Sequence, residues 1–400
     1  MIEKKRSKIE LLGAMAASGS FSQCNSSSRL HMLANHLSQA VSPKHSDIPR
    51  IMPGLETQMT SFDTRMPTDS IIISVHHKFV RQLDAHAIKS NPTTSIIFQC
   101  QETGIYDTLT IDTYHSKHIA YGVKQVISPI VAKLRKGFSV PRDTILAQSP
   151  NVKVGGIYAN GLSCSVANIS LPGTIEDGYV ISRSLANRAA LLEMRTVVGQ
   201  SGKRSYMLNL YGTEEEYKPY PNVGDVIRSD GLVFATREYS ETFDALEMST
   251  RRLMEVDMNH DTCVYGSPGA IVYDVTVESG IGETMMKPMT PEAMALQSKR
   301  YIRHGNDYYS SILDSYNDIL MTDRKAKLSP QLIQLITRAY GDTPNVVDGK
   351  NLGGGKIRRV YKNVPLDEYR VEIKYSKENP LAKGAKLTGL FGDCTNSPTD

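Results

Sequence analysis

A strand-rich α+β chain is predicted by three observations. From about residue 70 to residue 230, short β-branched runs recur between Gly, Pro and Asn residues. Between residues 290 and 340, two segments with helical character each open on a Thr-Pro or Ser-Pro pair. A strand-like run, "YRVEIKY", follows them. Many short strands with few helices point to a barrel or sandwich rather than a doubly wound sheet.

The first sixty residues join a basic start (Lys4, Lys5, Arg6, Lys8) to a Ser/Asn-rich run and then to "SRLHMLANHLSQAV". That segment sets Leu30, Leu33, Leu37 and Val41 on one helical face, with Ser28 in the N-cap position and Pro43 as a stop. Strands are expected in "SIIISVHHKFV", "TSIIFQC", "DTLTIDTY", "GGIYANGLSCSVANISL" and "DGYVISRSL", and the pattern continues through "YPNVGDVIRSDGLVFATRE". "TPEAMALQSKRYIRHGNDYYSSILDSYNDILM" and "SPQLIQLITRAY" are the two helices, which lie between β segments and are expected to form a protruding module. "DGKNLGGGKIRRVYKN" reads as a glycine-rich basic loop returning to the last strand. No repeat with a period of roughly 20 to 50 residues is found, which argues against a solenoid or propeller.

Composition excludes several classes. The 400 residues, 40% hydrophobic and 22% charged, are enough for two to four domains with cores of their own. The net charge of +4 is too small to announce a nucleic-acid binder by itself. Cys24, Cys100, Cys164, Cys263 and Cys394 are scattered without C-x-x-C spacing, which opposes a zinc module or disulfide framework and fits a reducing compartment. No apolar run approaches the roughly 18 residues of a membrane span, so a cytosolic chain is expected.

Most generic sites fail on spacing. "GKNLGGGKI" lacks the G-x-x-x-x-G-K-[ST] order of a phosphate-binding loop, because Ile357 stands where a hydroxyl is needed; a flexible hinge is the better reading. The pairs His76/His77 and His115/His118 have no third ligand at metal spacing. A G-x-S-x-G elbow is absent. Glu176 and Asp177 follow a Pro-Gly turn and precede a β-branched run, a setting for either a solvated turn or a pair of projected carboxylates. Lys383 and Lys386, flanked by Gly384, Gly389 and Gly392, combine point charges with a backbone that can approach a phosphate. Arg29, Asn35 and Gln39 fit either a solvated helix face or a binding surface.

Four blocks, taken in order, carry a family resemblance. "SSSRLHMLANHLSQAVSPKHSDIPRIMPGLET" resembles a block in which Asn-Arg is followed by Met, Asn, Gln-Ala-Val-Pro and a later Gly-x-Glu; here these read Ser28, Arg29, Met32, Asn35, Gln39, Ala40, Val41, Gly54 and Glu56. "LRKGFSVPRDTILAQSP" resembles a Lys-Lys-Gly-Asp phrase with a following strand. "GLSCSVANISLPGTIEDGYVISRSL" resembles the carboxylate-pair block, with Glu176 and Asp177 as its acids. "VEIKYSKENPLAKGAKLTGLFGD" resembles Gly-Asp-Lys-x-x-Gly-x-x-Gly-Asn-Lys-Gly, with Lys386 on the first lysine. In these blocks the chain resembles the C-terminal half of the second-largest (beta) subunit of multisubunit DNA-dependent RNA polymerases. Its divergence and partial coverage are similar to the split subunits of giant bacteriophages.

The resemblance implies a double-psi β-barrel with a flap-like insertion containing helices and an N-terminal helical fork segment. It divides the chain into 1–60, the RNA-contacting helical segment; 61–190, a β-rich region with the first part of the barrel; 191–359, the flap-like insertion; 360–393, the return strand and lysine loop; and 394–400, a tail foreign to the family. It implies that Lys386 meets the growing RNA end or initiating nucleotide and that Arg29 reaches the triphosphate. Gln39, Asn35 and Lys383 would contact RNA, while Glu176 and Asp177 would sit near a second Mg²⁺, partly through water. The chain holds no D-x-D-x-D triad, so the catalytic Mg²⁺ would be held mainly by a beta-prime-like partner. Implied partners are that subunit, the remaining beta fragments, template DNA, nascent RNA and NTPs. The implied setting is the cytoplasm of an infected bacterial host, with packaging in the virion left open.

Three departures qualify the match: Ser28 replaces Asn, Ser42 replaces Pro, and Cys394 stands where the second lysine belongs. The family pattern stops beside Asp393, and an interrupted coding region, by a split gene or by read-through of an intervening sequence, is the expectation. A non-catalytic protein keeping a degenerate polymerase-like barrel, binding nucleic acid or assembling through it, is the alternative. An oligosaccharide- or oligonucleotide-binding barrel would explain the strands but none of the blocks.

Overall fold

The computed structural model describes residues 25–39, 46–48, 63–79, 91–118, 121–153, 159, 161–167, 169, 172, 180–202, 205–238, 251–279, 292–342 and 368–383. The fold is a strand-rich α+β arrangement in which the largest sheet curls into a half barrel.

Helix α1 spans Ser27–Gln39. Its cap is Ser26, two residues earlier than the sequence suggested: the Ser26 hydroxyl accepts from the Arg29 amide at 3.4 Å and its carbonyl from the Leu30 amide at 2.9 Å. A serine run offers several equivalent caps, and propensity does not choose among them.

Two small sheets follow. Strands β2 (Ser70–His77), β3 (Thr93–Cys100) and β4 (Tyr106–Asp112) form an antiparallel meander, and β8 (Ser139–Val140) extends it beyond β2. Strands β1 (Asp63–Arg65), β9 (Ile145–Gln148) and β7 (Val126–Ile127) make a three-stranded sheet with β9 at its centre. Met66, Ile72, Ile96, Phe98, Leu146 and Ala147 form a shared core between them. The nearly continuous apolar run in β3 is explained by burial on both faces, since neighbouring Ile97 packs the other way, onto the helices.

The large sheet has the order β13-β12-β11-β10-β15-β14, comprising β10 (Leu191–Gly202), β11 (Ser205–Met207), β12 (Leu232–Glu238), β13 (Asp261–Tyr265), β14 (Ile271–Ser279) and β15 (Glu368–Asn379). The hairpin of β5 (Tyr114–His118) and β6 (Tyr121–Lys124) joins it through β10. Strand β10 pairs with β15 over its full length, from Leu191 opposite Asn379 to Gly202 opposite Glu368. Tyr369, Val371, Ile373 and Tyr375 alternate onto the core face, while Arg370, Glu372 and Lys374 take the other.

Helices α3 (Glu292–Thr322) and α4 (Pro330–Asp342) do not project as a module. Helix α3 packs on β14 and β2, and α4 packs on α3 and β4. Tyr301 belongs to the large-sheet core, whereas Tyr308, Ile312, Tyr316 and Ile319 join Ile97, Tyr106, Leu332 and Ile336 in another. A helix of 31 residues, about 46 Å long, can reach both cores.

Two expected strands are not found among the described residues. Those of "GGIYANGLSCSVANISL" carry no strand, and those of "DGYVISRSL" lead into the short helix α2 (Arg183–Arg188). Ser182 caps it, its hydroxyl accepting from the Leu185 amide at 3.2 Å. Among the described residues no helix is long and apolar enough to cross a membrane.

Candidate functional site

Helix α2 is where separated parts of the chain meet. The Arg188 guanidinium donates to Asp47 Oδ2 at 2.9 Å, and the same oxygen accepts from the Ser163 amide at 2.9 Å. The Asp47 amide donates to the Gly161 carbonyl at 2.8 Å. Thus "SDI" of the first block is tied to "GLS" of the third. The Leu381 amide, in the fourth block, donates to the Ala186 carbonyl at 3.0 Å. Asn151, directly after the second block, accepts from the Ala159 amide at 2.9 Å, just before the third block. Arg188 and Asp47 are both substantially exposed, so their ion pair contributes at most about 1 kcal/mol; the backbone hydrogen bonds define the geometry.

The residues singled out by sequence are distributed unevenly. Lys383 is exposed, two residues beyond the Leu381 contact with α2. Arg29 and Asn35 are exposed on α1, which lies against β5. The Arg29 guanidinium touches the Met32 sulfur at 3.6 Å. Gln39 is the last residue of α1, and its side chain lies outside the described residues, as do Glu176, Asp177, Lys386 and Cys394. Among the described residues no group of three His, Cys, Asp or Glu side chains could hold a metal ion.

A second cluster was missed in the sequence. Asp274 is buried on β14, where its carboxylate takes both Oδ1 and Oδ2 contacts from Lys78 Nζ, at 2.7 and 2.8 Å. Lys78 also donates to Thr276 Oγ1 at 2.7 Å, which uses its third N–H. Lys374 is more loosely held, 3.3 Å from Glu372 Oε1 and 3.6 Å from Asp274 Oδ2. Burial alone would lower the Lys374 pKa, but the Asp274 and Glu372 carboxylates outweigh it and the net direction is upward. A β-bulge creates the cluster: Val272 faces Tyr375 and Asp274 faces Lys374, leaving Tyr273 as the extra residue. The available signal was the three-residue step from Val272 to Val275, where a regular strand would alternate by two.

Burial of Tyr273, reinforced by Asp274, raises its pKa and keeps the phenol protonated. Its ring stacks on Tyr114 with centroids 3.9 Å apart, and Lys124 Nζ lies 5.4 Å from the Tyr114 centroid. Compared with known proteins, the chain matches no family model and no curated protein.

Proposed function

We propose that the chain is a beta-type subunit of a multisubunit DNA-dependent RNA polymerase, a nucleotidyltransferase inactive alone, of the split kind found in giant bacteriophages. The observation that carries the reading is the meeting of the first, third and fourth resembling blocks at α2, although more than three hundred residues separate Asp47 from Leu381 in sequence. Independent segments that resemble one family in order should converge if they serve one site. The proposed architecture is a double-psi β-barrel assembled from the segments around 140–184 and 360–392.

In this reading Lys386 holds the phosphate at the growing RNA end, Arg29 neutralises the incoming triphosphate, and Gln39, Asn35 and Lys383 follow the nascent RNA. Charges preorganised at a displaced phosphate each contribute on the order of 3 to 4 kcal/mol to transition-state stabilisation. Glu176 and Asp177 have the hard oxygen donors that suit Mg²⁺. They would orient its water shell, while a partner's carboxylates hold the catalytic ion. Bound Mg²⁺ would supply acidification of the RNA 3′-hydroxyl and charge neutralisation on the triphosphate. Template DNA, NTPs and the other subunits complete the site, in the cytoplasm of the infected host.

Cys394 fits either a divided gene or one rival, a non-catalytic protein that binds nucleic acid or assembles through a degenerate barrel. Affinity purification from the cells that produce the chain, with mass spectrometry of what is retained, separates the two. The polymerase reading expects a stoichiometric partner bearing D-x-D-x-D and a polypeptide continuing the beta pattern; recovery of the chain with neither favours the rival.

A further inference from the structure

The bulge at Tyr273 has a second result. It turns Tyr273 and Asp274 together towards the polar face of the large sheet, where an open cleft of about 270 Å³ lies between that face and the β3–β5 corner. Thr196 of β10 and Lys374 of β15 meet it from the sheet; Asp112 and Tyr114 meet it from the other side.

The charges around the cleft balance. Lys78, Lys124 and Lys374 stand against Asp112, Asp274 and Glu372, so a strongly charged ligand of either sign finds no net attraction. Donors and acceptors are nevertheless both on offer. Lys78 is saturated by Asp274 and Thr276, but Lys374 has, among the described residues, two longer contacts and is one-third exposed. Thr196 is exposed on the strand beside it, directly opposite in register. Across the cleft, the Asp112 carboxylate accepts from Thr93 Oγ1 at 3.0 Å and has further lone pairs available. Met194 and Tyr114 add carbon surface.

We propose that this cleft binds a neutral ligand with vicinal hydroxyl groups, a sugar or the ribose of a nucleoside. A hydroxyl both donates and accepts, so a vicinal pair can take hydrogen bonds from an ammonium and give them to a carboxylate without adding charge. Its C–H face can lie on Met194 and on the edge of the Tyr114 ring, whose faces Tyr273 and Lys124 cover. The inference does not rest on the polymerase reading, and its failure would leave that reading untouched.

The test is titration of the full chain, followed by calorimetry and by NMR shifts of the ligand, with methyl β-D-ribofuranoside, adenosine and 2′-deoxyadenosine. Saturable binding of the first two is expected, with 2′-deoxyadenosine at least tenfold weaker. Equal affinity for riboside and adenosine would identify the sugar as the whole ligand; tighter adenosine binding would identify a nucleoside. Lys374→Met and Thr196→Val should each weaken binding about tenfold, and Thr196→Val, an isosteric change at an exposed position, leaves the ion pairs in place. No saturation by either ribose compound, equal binding of the deoxynucleoside, or unchanged affinity in Thr196→Val would overturn the proposal.

Discussion

His76 is held as a neutral imidazole by serines of two elements. The Ser311 hydroxyl donates to the Tyr308 carbonyl at 2.7 Å, so towards His76 it can only accept, and Nδ1 must carry the ring proton. Nε2 then accepts, from Ser74 Oγ at 2.8 Å or Ser315 Oγ at 3.2 Å. Burial first, and His77 second, lower the His76 pKa from 6.5 to about 4. Below pH 6.5 the unfolded chain takes up a proton that the folded chain refuses until about pH 4, so stability falls across that window and is fully present above it. The gap is worth about 3 kcal/mol. Urea midpoints at pH 7 and pH 4.5 should therefore differ by much less in His76→Gln than in the wild type; an identical pH dependence would contradict the assignment. The adjacent histidines were visible in sequence, but not which one faces the helix. That depends on the bulge between Ile72 and Ser74, a register detail that composition does not encode.

At the scale of elements, β10 and β15 form the backbone of the large sheet, and their legibility differs. "YRVEIKY" is recognisable as β15 because β-branched and aromatic residues alternate with charges. Strand β10 opens on Leu-Leu-Glu-Met, residues with high helix propensity, and only pairing on both sides makes it a strand. The helices α3 and α4 were legible in type and extent, yet their docking on two cores was not, because periodicity identifies an apolar face without naming what covers it. Gly199 shows how closely β10 is packed. A Cβ there would lie 1.8 Å from the ring of Phe234, which is itself buried. Gly199→Ala should lower stability by about 1 to 3 kcal/mol, read as an earlier urea midpoint with an unchanged slope. An unchanged midpoint would show that Phe234 can swing away.

For the whole molecule, the half-barrel sheet, the two smaller sheets and the helical pair share packed cores, so the helices are not a free appendage. Strand content and fold class were legible from β-branched runs, but the connections were not: the contact of Asp47 with Ser163 and Arg188 joins residues more than a hundred positions apart, and no local pattern foretells it. The candidate site was legible only through order and resemblance. Arg29, Asn35 and Lys383 are ordinary exposed polar residues when taken singly, and the Lys78–Asp274–Lys374 cluster escaped notice because its members come from three distant strands or strand ends. The central claim, that the chain serves template-directed RNA synthesis, is tested most directly by primer extension with the complete complex carrying Lys386→Ala. Loss of about 3 kcal/mol of transition-state stabilisation predicts a fall of roughly a hundredfold or more in extension rate, with the complex still assembled and bound to template. Wild-type extension rates in the Lys386→Ala complex would contradict it.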